Sequence, residues 1–192
     1  FAVREHDNGW RETDAAPRRD PGTGRPHDFI SIPREDRIEL WERGAARFAG
    51  SHPYAALLIT RHALNLHASR RGQEGWESFL NYLDELSRGL MEDTGLSEDE
   101  IAADYRFLDR SDALSLAVCM RRSEPVESHG VRARYQDGTL FLDPFPLAGA
   151  TTFRIPCRRI PDRPYTGDAD LGVELATARW GEMSVRVAAL TP

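Results

Sequence analysis

The sequence predicts a mainly α protein: a helical body over residues 1–124, then a small antiparallel β-rich C-terminal region over 125–192 packed on it, α+β overall. Three observations carry this. Apolar residues recur at helical spacing from about residue 36 to about 121. Period-two alternation begins only after Pro125. Asp137-Gly138 stands between two alternating runs, the strongest short hairpin signal.

Taken in order, residues 1–8 read as the end of a helix, stopped by Asn8-Gly9. Residues 11–35 carry Pro17, Pro21, Pro26 and Pro33 with Gly22 and Gly24, and read as a long irregular loop. Such a loop either wraps the surface or walls a pocket beside the preceding segment. A helix over 36–49 follows. Ser51 is placed to cap the next helix, with Pro53 in its first turn, running to about Ser69. Residues 74–92 form an amphipathic helix with Trp76, Phe79, Leu80, Leu83, Leu86 and Leu90 inward. Ser97 and Glu100 make a capping box for a last helix to about Arg121. Val131–Tyr135 and Thr139–Leu142 form the hairpin, closed by Asp143-Pro144-Phe145-Pro146. Further strands are expected at 151–155, 171–178 and 183–189.

The chain has 192 residues, 40% hydrophobic and 29% charged, which suits a soluble globular domain. No apolar run reaches the roughly 18 residues of a membrane helix, and no signal peptide is visible, so a cytoplasmic, bacterial-type protein is expected. The formal charge of −6 makes nucleic acid an unexpected partner. Every basic residue is Arg, a coding bias or a supply of planar forks for phosphate. Cys119 and Cys157 lie outside any CxxC pair, which argues against a thiolate zinc site.

Chemistry is sought where ionisable residues fall on apolar faces. Ile101, Tyr105, Leu108, Asp112, Ser115 and Cys119 share one helical face with Asp112 at its centre. A buried carboxylate needs a cation or donors, so Asp112 is either a metal ligand or an Asp satisfied by backbone or Arg. Ala55, Leu58, Ile59, His62 and Leu66 share another face, which turns His62 inward, while His67 lies about 140° further round. His62 is a core histidine or a ligand. The adjacent pair His6-Asp7 offers two unlike ligands, or a helix-terminal His beside a solvated Asp. His27, His52 and His129 receive no role.

The order of these residues resembles the HD-domain superfamily of metal-dependent phosphohydrolases, and more narrowly an uncharacterised bacterial family of HD-like organisation. The stretches that carry the likeness are His6-Asp7-Asn8-Gly9-Trp10, the segment from Pro17 to Pro26 with Phe29, Pro53 to Ile59 leading to His62-Ala63, Asp112 to Leu116 with Cys119, and Pro144-Phe145-Pro146. The resemblance implies an HD-like helical bundle with metal between helices. His6, Asp7 and Asp112 would be the doublet and closing Asp, and His62 an added ligand of binuclear members. The superfamily pattern begins with another His on an earlier helix. Nothing precedes Phe1 to supply it, so either upstream sequence is missing or the site is expected to lack that ligand.

The expected function is therefore metal-dependent hydrolysis of a small phosphorylated substrate. His6, Asp7, His62 and Asp112 would serve as metal and catalytic residues, with Fe, Mn, Zn or Ni as the divalent ion. Arg61 or an Arg of the 18–25 loop would hold the phosphate. The alternatives are an HD-like di-iron oxygenase, or a non-catalytic binding module with a degenerate metal site. Oligomeric state is left open.

Overall fold

The computed structural model describes residues 1–190. Two compact units divide the chain: Phe1–Leu108 with Asp162–Glu174, and Asp109–Pro161 with the stretch from Leu175 onward. In the first, α1 (Ala2–Glu5) turns directly into α2 (Trp10–Ala15), followed by α3 (Arg34–Ala46), α4 (Pro53–His67), a 3-10 turn (Ala68–Arg70), and α5 (Glu77–Thr94). Helix α6 (Glu98–Cys119) begins in this unit and ends in the other. The second unit holds β1 (Val126–Ser128), β2 (Val131–Gln136), β3 (Thr139–Asp143), β4 (Thr151–Arg158) and β5 (Trp180–Ala189). Between the last two strands lies α7 (Asp168–Thr177).

Helix α4 organises the first unit. Leu57, Ile59, Ala56 and Ala63 are all 0% exposed, and Thr60, His62 and His67 are buried with them. The apolar run Ala55-Ala56-Leu57-Leu58-Ile59 leaves no polar side for solvent, so this turn is surrounded rather than merely faced. Burying each large aliphatic chain contributes about 1.5–3 kcal/mol. One apolar cluster joins α3, α4 and α5 through Leu40, Trp41, Ala63, Phe79, Leu80 and Leu83. A second joins α1, α4, α5 and α6 through Ala2, Leu57, Leu58, Leu90, Ile101 and Leu108. Leu66, expected inward, is 45% exposed, because the buried side of α4 narrows to His67 in its last turn.

Two of the caps follow local chemistry and two expected signals do not. Ser97 and Glu100 form the capping box: the Ser97 amide donates to Glu100 Oε2 at 3.0 Å and the Glu100 amide to Ser97 Oγ at 3.4 Å. Gly95 ends α5 in the left-handed region, φ 65°. The cap of α4 is His52, with no side-chain bond, not Ser51. Gly9 is not a left-handed stop at all; its φ is −63° and the chain continues into α2. Its missing side chain serves a close approach instead. A Cβ there would lie 2.2 Å from the Leu40 carbonyl oxygen, and Gly44 meets Gly9 from the α3 side.

The long loop shortens to residues 16–33 and is fastened within its own unit. Tyr165 donates its amide to Gly24 O at 2.8 Å, Arg19 its amide to Asp168 Oδ1 at 2.9 Å, and Arg25 pairs with Asp162. Proline and the Asp20 turn, which accepts from the Gly22 and Thr23 amides at 2.8 Å, fix its shape. It is a clasp rather than a lid.

The chain is largely helical, as expected, but an HD-like bundle with an antiparallel tail is not what it forms. It is α+β with a five-stranded mixed sheet, in the order β1-β2-β3-β5-β4. β2–β3 is the predicted hairpin, turning on Asp137 (φ 48°) and Gly138 (φ 78°), as a primed two-residue turn requires. β3 and β5 pair in parallel, Leu140 opposite Val187. Parallel neighbours need a long connection, and the stretch through β4 and α7 supplies it. That also explains the strand misread at 171–178. Leu171, Val173 and Leu175 alternate as a strand would, yet Asp168 and Asp170 occupy a helical first turn and only Leu171 is buried. Leu114, Ala117 and Val118 of α6 pack on Ala133, Leu140, Leu142, Val185 and Val187 of the sheet. No helix among the described residues is long and apolar enough to cross a membrane.

Two predictions follow from these packing facts. Gly9→Ala should lower unfolding free energy in urea by about 1–3 kcal/mol, the cost of overpacking a tight contact. Gly50→Ala, where a Cβ meets nothing within 4 Å, should change it by less than about 0.5 kcal/mol; equal effects would contradict the contact argument. His67 stacks on Trp76 (ring centroids 5.2 Å), meets Phe79 and Trp41 edge-on, and hydrogen-bonds Ala63 O at 2.8 Å. Burial, the largest cause, holds its pKa below the usual 6.5. The unfolded chain then binds the proton more readily, so the stability His67 contributes is full above pH 6.5 and declines as pH falls through the folded value. His67→Gln should flatten that acid-side slope in pH-dependent unfolding; an unchanged slope would refute it.

Candidate metal centre

The four residues of α1 are too few to be stable alone; packing holds them. Ala2 joins the α4 cluster, and Glu5, 7% exposed, is clamped by Arg4 at 3.0 Å and Arg11 at 2.5 Å. Asn8 donates its amide to Glu5 O (2.8 Å) and Gly44 O (3.0 Å), fixing the turn that follows. Its Oδ1 has no partner among the described residues. His6 and Asp7 sit between these two anchors.

The doublet splits. The His6 side chain is 12% exposed and that of Asp7 54%. His6 Nδ1 lies 2.7 Å from Val3 O. A carbonyl only accepts, so Nδ1 carries the proton. Nε2 is 3.1 Å from Asp7 Oδ2. This is the arrangement metal-binding imidazoles adopt, with the non-ligating N–H fixed on a backbone carbonyl.

His62 meets the His6 ring edge-on, centroids 5.5 Å apart. Trp41 closes one side of His62 at 5.9 Å and Tyr105 another at 6.2 Å. His62 is 1% exposed, as its helix face implies. Asp112 stands one turn beyond Leu108 in the unbroken helix α6 and is half-buried. The predicted stripe stops there: Ser115 and Cys119 are exposed, because the buried side of α6 shifts to Leu114, Ala117 and Val118. His6, His62 and Asp112 each offer one ligand atom, and these atoms all lie within 4.8 Å of one another. Asp7 touches His6 but is not one of the three.

Two imidazoles and a carboxylate suit Fe, Mn, Zn or Ni rather than Ca or a thiolate-seeking ion. Three protein donors would leave coordination positions on such an ion open. Cys119 and Cys157 are free thiols outside this group.

Beside Tyr105 lies a groove of about 400 Å³ between α4, α5 and α6. Arg61, Asn65, Arg71, Asp84 and Glu98 line its polar walls. Arg61, one of the arginines expected to meet a phosphate, is here; Arg18 and Arg25 are committed to Asp36 and Asp162. Sequence reasoning missed Trp41, Glu5 and Asn8. Trp41 sits on the apolar side of α3 and gave a usable signal; the buried Glu5 and Asn8 gave none, since their partners are set by tertiary packing.

No curated protein and no solved structure matches the chain. A family model does match, over residues 1–162, under the description "Protein of unknown function (DUF3891)". With most of its length covered, including the doublet, α4 and α6, the chain belongs to that family.

Proposed function

We propose that the protein is a metal-dependent phosphohydrolase in which His6, His62 and Asp112 hold a divalent transition metal, with Asp7 at the rim. The observation that carries this is the approach of two imidazoles and one carboxylate to within 4.8 Å. The likeness of the His6-Asp7 doublet and Asp112 to the ligand set of the HD superfamily supports the same chemistry, without its bundle.

When bound, the cation would supply an acidified water and a Lewis acid for a phosphoryl oxygen. The chain's own residues do the rest. The Val3 carbonyl holds His6 Nδ1, which would leave Nε2 as the ligand nitrogen. Trp41 covers one side of His62. Asp7, 3.1 Å from His6 Nε2 and half-exposed, is placed to accept a proton from an attacking water. Arg61 lines the neighbouring groove, where a guanidinium can take a phosphate oxygen pairwise.

Elemental analysis after dialysis tests the ligand set. The wild type should retain stoichiometric Fe, Mn, Zn or Ni and release phosphate from p-nitrophenyl phosphate. Asp112→Asn and His62→Gln should each lose the metal and at least about 100-fold of the activity, since even outer partners of ligands are worth 10–100-fold. His67→Gln should keep both. Folded Asp112→Asn with full metal content, or substrate-dependent oxygen uptake in place of phosphate release, would overturn the reading.

A further inference from the structure

The groove beside Tyr105 combines features that point to a particular ligand chemistry. Ala68, Ile101 and Ala102 give it small and apolar lining. At one end Arg61 directs a single nitrogen, Nη2, to Glu98 Oε1 and Met91 Sδ, both at 2.7 Å. Its Nε has no partner among the described residues, an unusual state for a buried donor. The pair with Glu98 fixes the guanidinium while leaving Nη1 to address an anion. At the other end Arg71 holds Asp84 at 2.6 Å, a fixed pair offering both donors and acceptors. Carboxylates at Asp84 and Glu98 disfavour a ligand that is anionic throughout. They suit hydroxyl groups, which donate to them. The size of the groove matches a small-molecule site.

We infer that this groove binds a phosphorylated polyol or sugar, with Arg61 taking the phosphate and Asp84 with Arg71 taking hydroxyl groups. As the seat of a substrate it rests on the phosphohydrolase reading, because Tyr105 both lines the groove and faces His62. Binding itself needs no metal.

Isothermal titration of the chelator-treated full chain with glucose 6-phosphate tests this separately from metal binding. Saturable binding is expected, tighter than for inorganic phosphate or glucose alone. Arg61→Gln and Asp84→Asn should each weaken it about tenfold or more, the loss of one charge-assisted contact, with circular dichroism unchanged. No saturable binding, equal affinity for inorganic phosphate, or folded variants that bind as the wild type does would overturn the inference. Loss of groove binding with metal content intact defeats only this proposal; groove binding in a chain that never takes up metal defeats only the hydrolase reading.

Discussion

Helix α4 is the constraint on which the rest of the first unit depends. Its middle is buried on every side, and three polar side chains, Thr60, His62 and His67, are buried with it. Each needs its own solution, since an unpaired polar group in such a place costs a few kcal/mol. Thr60 bonds back to Ala56 O at 2.8 Å. His67 bonds to Ala63 O and is wrapped in aromatic rings, and burial among them holds its pKa below the usual value. His62 instead meets the rings of His6, Trp41 and Tyr105. Two histidines on one helix thus have opposite fates, set by which side of α4 each occupies.

His6 reaches α4 through a chain of short-range fits. Gly9 and Gly44 let the α1–α2 turn lie directly on α3. Asn8 stitches that turn to Gly44, and Arg43 adds a bond to Gly9 O at 3.0 Å. Glu5 is held in place by two arginines. A four-residue helix has little stability of its own, so the position of His6 is a tertiary property that any loosening of this contact would blur. Preorganisation of this kind is what a metal or catalytic site requires of its ligands.

How much of this was legible in the sequence differs by element. The helices α3 to α6 and the β2–β3 hairpin were readable because their periodicity, capping box and Asp-Gly turn are local signals. The inward side of α4 was readable at His62, and failed at Leu66, where the helix end emerges into solvent. Gly9 was read as a stop because sequence cannot tell a glycine needed for φ from one needed for space. The β3–β5 parallel pairing and α7 were hidden, since pairing between distant strands leaves no local mark and residues 171–175 fit both periods. The bundle expectation failed for the same reason: it extended a short-motif likeness to an architecture. At the candidate site, His6, His62 and Asp112 could be named from their residue type and spacing. Their mutual distance, and the division of labour between His6 and Asp7, came only from packing.

The central claim is that two imidazoles and the Asp112 carboxylate share one cation. X-ray absorption at the zinc edge of the full chain, loaded with one equivalent of Zn(II), addresses it most directly. The account predicts imidazole scattering from two histidines together with oxygen donors, falling to one histidine in His62→Gln. A spectrum with oxygen scatterers alone, or one unchanged by His62→Gln, would contradict it.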